Sequence, residues 1–262
     1  MHVIDFHAHV FPDKLAERAV SRLKSVAEVL NRTDGTLEDT CLKMRGWGVD
    51  RFVQLNVVTN PERQAAANDH AISLRAHPQV IPFGSAHPGD ADTALMELSR
   101  IHEAGLKGIK LHPDYQNFFL DDPGAWRIYE RCEALGLAIV FHMGFDPLSP
   151  DIVHGEVTSL LRVLDAFPKL KVVAAHLGGM YRWDEVERHL VGRRVWLDTA
   201  MLAGYCPPEQ VRRIIMAHEH VLFGSDCPWH SPMEEMLFLK TLELPERRYE
   251  AIFYTNARAL LT

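Results

Sequence analysis

The chain is poor in cysteine, and the few it has are scattered. Among 262 residues there are 4: Cys41, Cys132, Cys206 and Cys227, with no C-x-x-C pair. That argues against a disulfide framework and a thiolate zinc site, and it fits a reducing cytoplasm. No apolar run approaches the length of a membrane span. The opening residues lack a basic segment followed by an apolar core, so no secretion signal is expected. Positive charge is also short, with 28 Lys and Arg against 35 Asp and Glu and a formal net charge of -7. Non-specific nucleic-acid binding, which rests on neutralising phosphates, is therefore disfavoured. No Gly-rich dinucleotide fingerprint follows the first apolar run, and no G-x-S-x-G elbow of a serine hydrolase occurs. The expected partner is a small molecule, with neither nucleic acid nor membrane; a homodimer is compatible with these features.

Histidine, by contrast, is abundant at 15 residues, and its placement is informative. Short runs rich in Val, Ile and Phe lie at 2–7, 51–57, 80–85, 107–112, 137–142, 170–176, 194–199 and 220–225. Each is bounded by turn signals and short enough for a buried parallel strand. Amphipathic segments at 13–30, 61–76, 91–104, 123–135, 157–167, 183–191, 207–218 and 232–240 separate or follow them. Asn60 and Asp122 each precede a proline suited to a first helical turn, and Gly105 and Gly136 mark helix ends. Segment 31–48 reads as a loop and helix, and 245–262 as a closing helical segment. Eight strands alternating with eight helices predict a single domain over 1–262, a slightly distorted (β/α)8 TIM barrel. A doubly wound open sheet is the alternative.

Catalytic groups of such a barrel gather where its strands end. Here the strand ends carry His7 and His9, His87, Lys110 and His112, His142, His176, Asp198 and Asp226. In "IDFHAH", strict alternation would set Asp5, His7 and His9 on one face, with the two imidazoles about 7 Å apart. Asp5 would then orient a ligand histidine or pair with Lys110. A ring of neutral imidazoles and carboxylates is the donor set a first-row divalent ion needs. The βα loops add Tyr115, Gln116, Phe118, Phe119, Tyr181, Arg182, Trp183, Trp229 and His230 as candidate substrate contacts or rim packing. Cys227 reads as a packed small residue.

"DFHAHVFP", "GIKLHPDYQNFFLDDP", "FHMG", "AHLGG" and "GSDCPW" occur in that order. Together they resemble the amidohydrolase superfamily, in its amidohydrolase-2 branch of metal-dependent hydrolases and decarboxylases. The resemblance runs from the first strand to "TNARALL". It implies a mononuclear ion held by His7, His9, His142 and Asp226, with zinc first and manganese second. A binuclear site bridged by a carboxylated Lys110 is the alternative, and some lactone-hydrolysing members of the branch work without metal. The resemblance implies that His176 sits beside the metal-bound water as acid/base or as oxyanion partner; Asp226, as a monodentate ligand with a free oxygen, can serve as base and share the proton transfer, and Lys110, His112, Tyr115 and Trp229 are the expected substrate contacts. The expected activity is hydrolysis of a small lactone, ester or amide. Non-oxidative decarboxylation of an unsaturated or aromatic carboxylate on the same ligands is the alternative. A TatD-type deoxyribonuclease fits less well, because that type places a metal-binding glutamate at strand four, where this chain has Lys110 and His112. A non-catalytic barrel would be expected to lack ligands, and none is missing.

Overall fold

The computed structural model describes residues 2–27 and 30–262, without the side chains of 22–27. The eight apolar runs become eight parallel strands paired in sequence order. They are β1 (Ile4–Ala8), β2 (Arg51–Leu55), β3 (Val80–Ser85), β4 (Gly108–Leu111), β5 (Ala138–Phe141), β6 (Lys171–Ala174), β7 (Trp196–Asp198) and β8 (Val221–Leu222). Helices α1 (Asp13–Ala27) and α2 (Leu37–Gly46) follow β1, and α3 (Gln64–Ser73) and α4 (Ala91–Glu103) follow the next two strands. A one-turn helix α5 (Pro113–Gln116) and then α6 (Pro123–Leu135) follow β4. The crossovers continue with α7 (Val157–Ala166), α8 (Trp183–His189), α9 (Pro208–Ala217) and α10 (Pro232–Thr241). The predicted helix over 61–76 is one α-helix flanked by single 3-10 turns, and the end of the predicted helix over 13–30 lies partly outside the described residues. The closing segment is α11 (Glu246–Glu250), a π turn and α12 (Asn256–Leu261).

The barrel closes where β8 meets β1. Phe6 N donates to Phe223 O (2.7 Å), Asp226 N to His7 O (2.8 Å) and His9 N to Cys227 O (2.6 Å). Alternate strand residues fill the barrel interior, among them Val53, Leu55, Ile81, Phe83 and Val140, and Ala257 and Leu260 of α12 pack into the same cluster. The other face of each strand, such as Ile109, Leu111, Ile139 and Phe141, packs against the helices in a second, larger cluster.

The first strand departs from strict alternation. Asp5 pairs with Phe52 and Ala8 with Gln54, so β1 spends one residue more than β2 over that interval. Such a bulge reverses the phase of the side chains beyond it. Ile4 and Phe6 lie in the interior cluster, whereas Ala8 and Val10 lie in the outer one. The expectation that Asp5 shares a face with His7 is thus corrected. Asp5 turns to the β1–β8 seam, where its Oδ1 accepts from His7 N (3.0 Å) and Ser225 N (3.0 Å) and its Oδ2 from the Ser225 hydroxyl (2.5 Å). It clamps backbone and touches neither an imidazole ring nor Lys110. Because His7 and His9 follow the bulge, both can face inward above an apolar floor that Ile4 and Phe6 help to build.

Candidate metal centre

Six of the strand-end residues form one buried cluster. His7 comes from β1, and His9 lies just past it; Lys110 is on β4; His142 immediately follows β5, and His176 and Asp226 lie in the loops just beyond β6 and β8. Asp226 Oδ1 lies 3.0 Å from His9 Nε2 and 3.4 Å from His7 Nε2. Lys110 Nζ is 3.5 Å from the same His7 nitrogen. His176 Nε2 and His142 Nδ1 face each other at 3.1 Å. One ligand atom each from His7, His176 and Asp226 falls within 4.8 Å of the others, and a second such trio is His112, His142 and Asp146. His142 belongs to both neighbourhoods, through its two ring nitrogens.

The outer nitrogens of three rings are already committed. His7 Nδ1 donates to Asp198 Oδ2 (2.9 Å), His9 Nδ1 to Leu55 O (3.0 Å) and His176 Nδ1 to Ala200 O (3.1 Å). Carbonyl and carboxylate oxygens only accept, so these partners fix each tautomer and leave three Nε2 lone pairs turned toward the cluster. His142 Nε2 is buried without a hydrogen-bond partner, with Asp146 Oδ2 3.8 Å away. A proton on that nitrogen leaves the Nδ1 lone pair of His142 facing the lone pair of His176. A cation resolves that opposition. Nitrogen lone pairs and one carboxylate, each backed by an oxygen partner, fit a first-row divalent ion.

Burial and local charge keep these groups in the forms a metal requires. Burial, reinforced by the Lys110 ammonium, pushes His7 down to about 4. His142 and His112 are held well below the usual imidazole range, first by burial and then by neighbouring positive groups. Burial alone would raise the Asp226 carboxyl, but His7, His9 and His176 together hold it well below the usual carboxylate range. Asp198 follows the same pattern, with burial opposed by His7. Burial pushes Lys110 down to about 8 against the pull of Asp198, Asp226 and Asp146. Lys110 is the one buried Lys or Arg among the described residues.

The backbone is strained here. His176 (φ 58°), Leu177 (φ 54°) and Asp226 (φ 67°) are left-handed although none is glycine. Each such residue costs on the order of 1–3 kcal/mol and persists only where the surroundings over-determine it. Asp198 does so for β6, since its Oδ1 accepts from His176 N (2.9 Å) and Ala200 N (3.1 Å) while its Oδ2 holds His7. The Trp183 indole N–H donates to His176 O (3.0 Å).

The remaining candidates divide. His112 lies on the wall of the site, its ring stacked between Tyr115 (3.6 Å, 6°) and His142 (4.0 Å, 10°). Gln116 ties loops together, donating to Val58 O and Ala86 O (both 2.7 Å). Trp229 packs toward Phe11, with ring centroids 6.4 Å apart, and Arg182 faces Glu156 at 3.6 Å. His87 does not join the cluster. Its Nδ1 accepts from Gly89 N (3.0 Å) and caps the turn at Pro88–Asp90, while Gln64 holds its backbone. A histidine after a strand serves as a turn cap here because a proline follows it directly. Asp198 was visible in the sequence only as a strand-end carboxylate without a role. Asp146 was missed: it sits in a loop, and what singles it out is the approach of His112 from another loop (3.5 Å).

Several known proteins share this architecture. An uncharacterised TIM-barrel protein from Bordetella bronchiseptica superposes with a TM-score of 0.82 at 21% identity, over 100% of this chain and 98% of that one. A dihydroxybenzoic acid decarboxylase from Polaromonas sp. JS666, solved with bound manganese and 2-nitroresorcinol, superposes with a TM-score of 0.75 at 17% identity, over 99% and 96%. In sequence, the chain is 31% identical over 133 residues to the 2-amino-3-carboxymuconate-6-semialdehyde decarboxylase of Dictyostelium discoideum. That match spans 44% of this chain and 37% of the relative's length. The amidohydrolase family model Amidohydro_2 matches residues 4–262. Barrel, strand-end imidazoles and family match agree, and the chain belongs to the amidohydrolase family, in its amidohydrolase-2 branch.

Proposed function

We propose that this enzyme is a non-oxidative decarboxylase of a small unsaturated or aromatic carboxylate. The observation that carries the reading is Lys110, the one buried Lys or Arg among the described residues, 3.5 Å from an imidazole nitrogen of the cluster. A buried ammonium beside a set of neutral imidazoles provides a seat for an anion. The decarboxylase relative from Dictyostelium supports the same chemistry, and hydrolysis ranks second on that ground.

His7, His9, His142 and Asp226 would hold one divalent ion, zinc or, as in the Polaromonas relative, manganese. Such an ion supplies positive charge that polarises substrate oxygens. Lys110 anchors and orients the carboxylate. Loss of carbon dioxide leaves an electron pair on carbon, and a proton must reach that carbon. Asp226 and His176 are the groups to move it. His176 suits the task because Ala200 O fixes its Nδ1–H, so a proton is gained and lost only at Nε2. His7, His142, Lys110, His176 and Asp226 are buried and His9 is partly buried, which limits the access of competing water to the reacting carbon.

The test is product analysis on metal-loaded protein with a panel of small unsaturated and aromatic carboxylates. Release of carbon dioxide, with solvent hydrogen on the carbon that lost it, is the expected result. Incorporation of labelled solvent oxygen without carbon dioxide would replace the reading with hydrolysis of a lactone, ester or amide.

A further inference from the structure

Strand β7 contributes no ligand to the proposed ion, yet its last residue touches both His7 and the segment that carries His176. Asp198 is fully buried, and all three of its oxygens are taken. Its backbone O accepts from Leu177 N (2.7 Å). Its Oδ1 accepts from His176 N (2.9 Å) and Ala200 N (3.1 Å), and its Oδ2 from His7 Nδ1 (2.9 Å). Thr199, the next residue, braces the seam beside it. Its hydroxyl donates to Gly224 O (3.1 Å) and accepts from Gly224 N (3.0 Å), just ahead of Asp226. Backbone N–H groups thus converge on one oxygen of the Asp198 carboxylate and an imidazole N–H on the other. Only a side chain that accepts at both ends satisfies them together.

We propose that Asp198 is a positioning residue with two separable tasks: one oxygen selects the nitrogen that His7 presents to the ion, and the other holds the turn that aims His176. Oδ2 keeps the His7 proton on Nδ1, so the Nε2 lone pair faces the cluster. Oδ1 holds the N–H of His176, whose left-handed backbone (φ 58°) persists only where its surroundings enforce it. Asp198→Asn divides the two tasks. The asparagine oxygen stays with the two backbone N–H groups, because its NH2 group cannot accept. That NH2 group then points at His7 Nδ1, which must become an acceptor and carry its proton on Nε2 instead. Nε2 lies 3.4 Å from Asp226 Oδ1 and can donate to it. The metal-free fold therefore stays satisfied, while His7 loses the lone pair a ligand needs. Asp198→Ala removes both supports at once. The role assigned to Asp198 rests on the reading of His7 as a ligand and is independent of the reaction that follows.

The test reads the His7 tautomer directly, by long-range nitrogen–proton NMR correlations on metal-free protein with isotope-labelled histidine. The His7 signals are identified by their loss in His7→Asn. The proton is expected on Nδ1 in the wild-type protein and on Nε2 in Asp198→Asn. Competitive chelator titration with zinc should show Asp198→Asn about 10- to 100-fold weaker than wild type, the usual effect of losing such a partner. Amide hydrogen exchange at His176 and Ala200 should stay slow in Asp198→Asn and become fast in Asp198→Ala, which loses zinc affinity as well. A purely structural role would leave the tautomer unmoved and would not separate the two variants. The wild-type tautomer needs no variant to fold, and a proton on Nε2 there overturns the proposal. So does Asp198→Asn with the proton still on Nδ1, with zinc affinity within about twofold of wild type, or with fast exchange at His176 and Ala200. Failure of the wild-type protein to bind zinc or manganese overturns the reading of His7 as a ligand, and this role with it. Carbon dioxide release is followed separately, and its absence would overturn the proposed reaction while leaving the role of Asp198 standing.

Discussion

His142 and His176 end neighbouring strands and turn ring nitrogens toward each other at 3.1 Å, yet their proposed roles differ. One is a ligand and the other moves a proton. His176→Asn should therefore keep the ion and lose about 10²–10⁴-fold in turnover, the usual contribution of a general acid or base. His142→Asn should lose both ion and activity. Elemental analysis of the two variants after dialysis against the same chelator-free buffer decides it, and equal metal loss in both would reject the division. A different residue sets a pH dependence. Burial pushes the Asp5 carboxyl up to about 7, with the Ser225 and His7 donors pulling the other way. In the unfolded chain it titrates near the usual value of about 3.9. Between those limits the folded state keeps a proton that the unfolded state loses, so stability falls as pH rises through the window, and the cost is complete above about 7. Asp5→Asn should flatten that slope, which urea midpoints from acid to neutral pH would reveal. An identical slope in both proteins would assign the effect elsewhere.

Elements position these groups through close contacts that no side-chain list reveals. Past the end of β8, Gly224 runs so near its neighbours that an added Cβ would lie 2.9 Å from His7 Cβ and 3.4 Å from Asp198 Cβ. Gly224→Ala must push one of them, and overpacking of this kind costs about 1–3 kcal/mol. We expect a lower melting temperature together with weaker metal retention, because the residue displaced is a proposed ligand or its carboxylate partner. A thermal scan and a competitive chelator titration on the same preparation would check both, and unchanged metal affinity would count against the position of His7. The eight strands and the helices between them were legible because each strand is buried on both faces and reads as a short apolar run. The ring of polar strand ends was legible for the same reason, since a histidine or aspartate at the end of such a run stands out. The phase of β1 was not legible. Its bulge arises from pairing with β2 and from the Asp5–Ser225 contact, whose partners are 220 residues apart. Alternation rules assume a regular ladder, and that assumption failed within Asp5–Ala8. The role of Asp146 was hidden for a related reason, since it depends on two loops meeting.

At the scale of the molecule, the proposed ion joins the ends of three strands, β1, β5 and β8. Purified protein should carry about one divalent ion per chain. Stripping it with a chelator should lower the melting temperature by about 5–10 °C, as expected for a ligand held at about a hundred times its dissociation constant in a domain of this size. Two ions per chain would favour the alternative with a modified Lys110 as bridge, and full activity without metal would favour a metal-free mechanism. No helix among the described residues is long and apolar enough to cross a membrane.

The closing seam also orders events in time. His9 and Asp226 share a contact of 3.0 Å across 217 positions of sequence. On a ribosome the first two proposed ligands leave the exit tunnel early and wait, while the carboxylate that completes the set is still to be translated. The complete proposed set therefore cannot exist in a chain paused before β8. Capture of an ion through all four proposed ligands would then be a late event, and a chain that achieved it would, by that fact, have closed its ring.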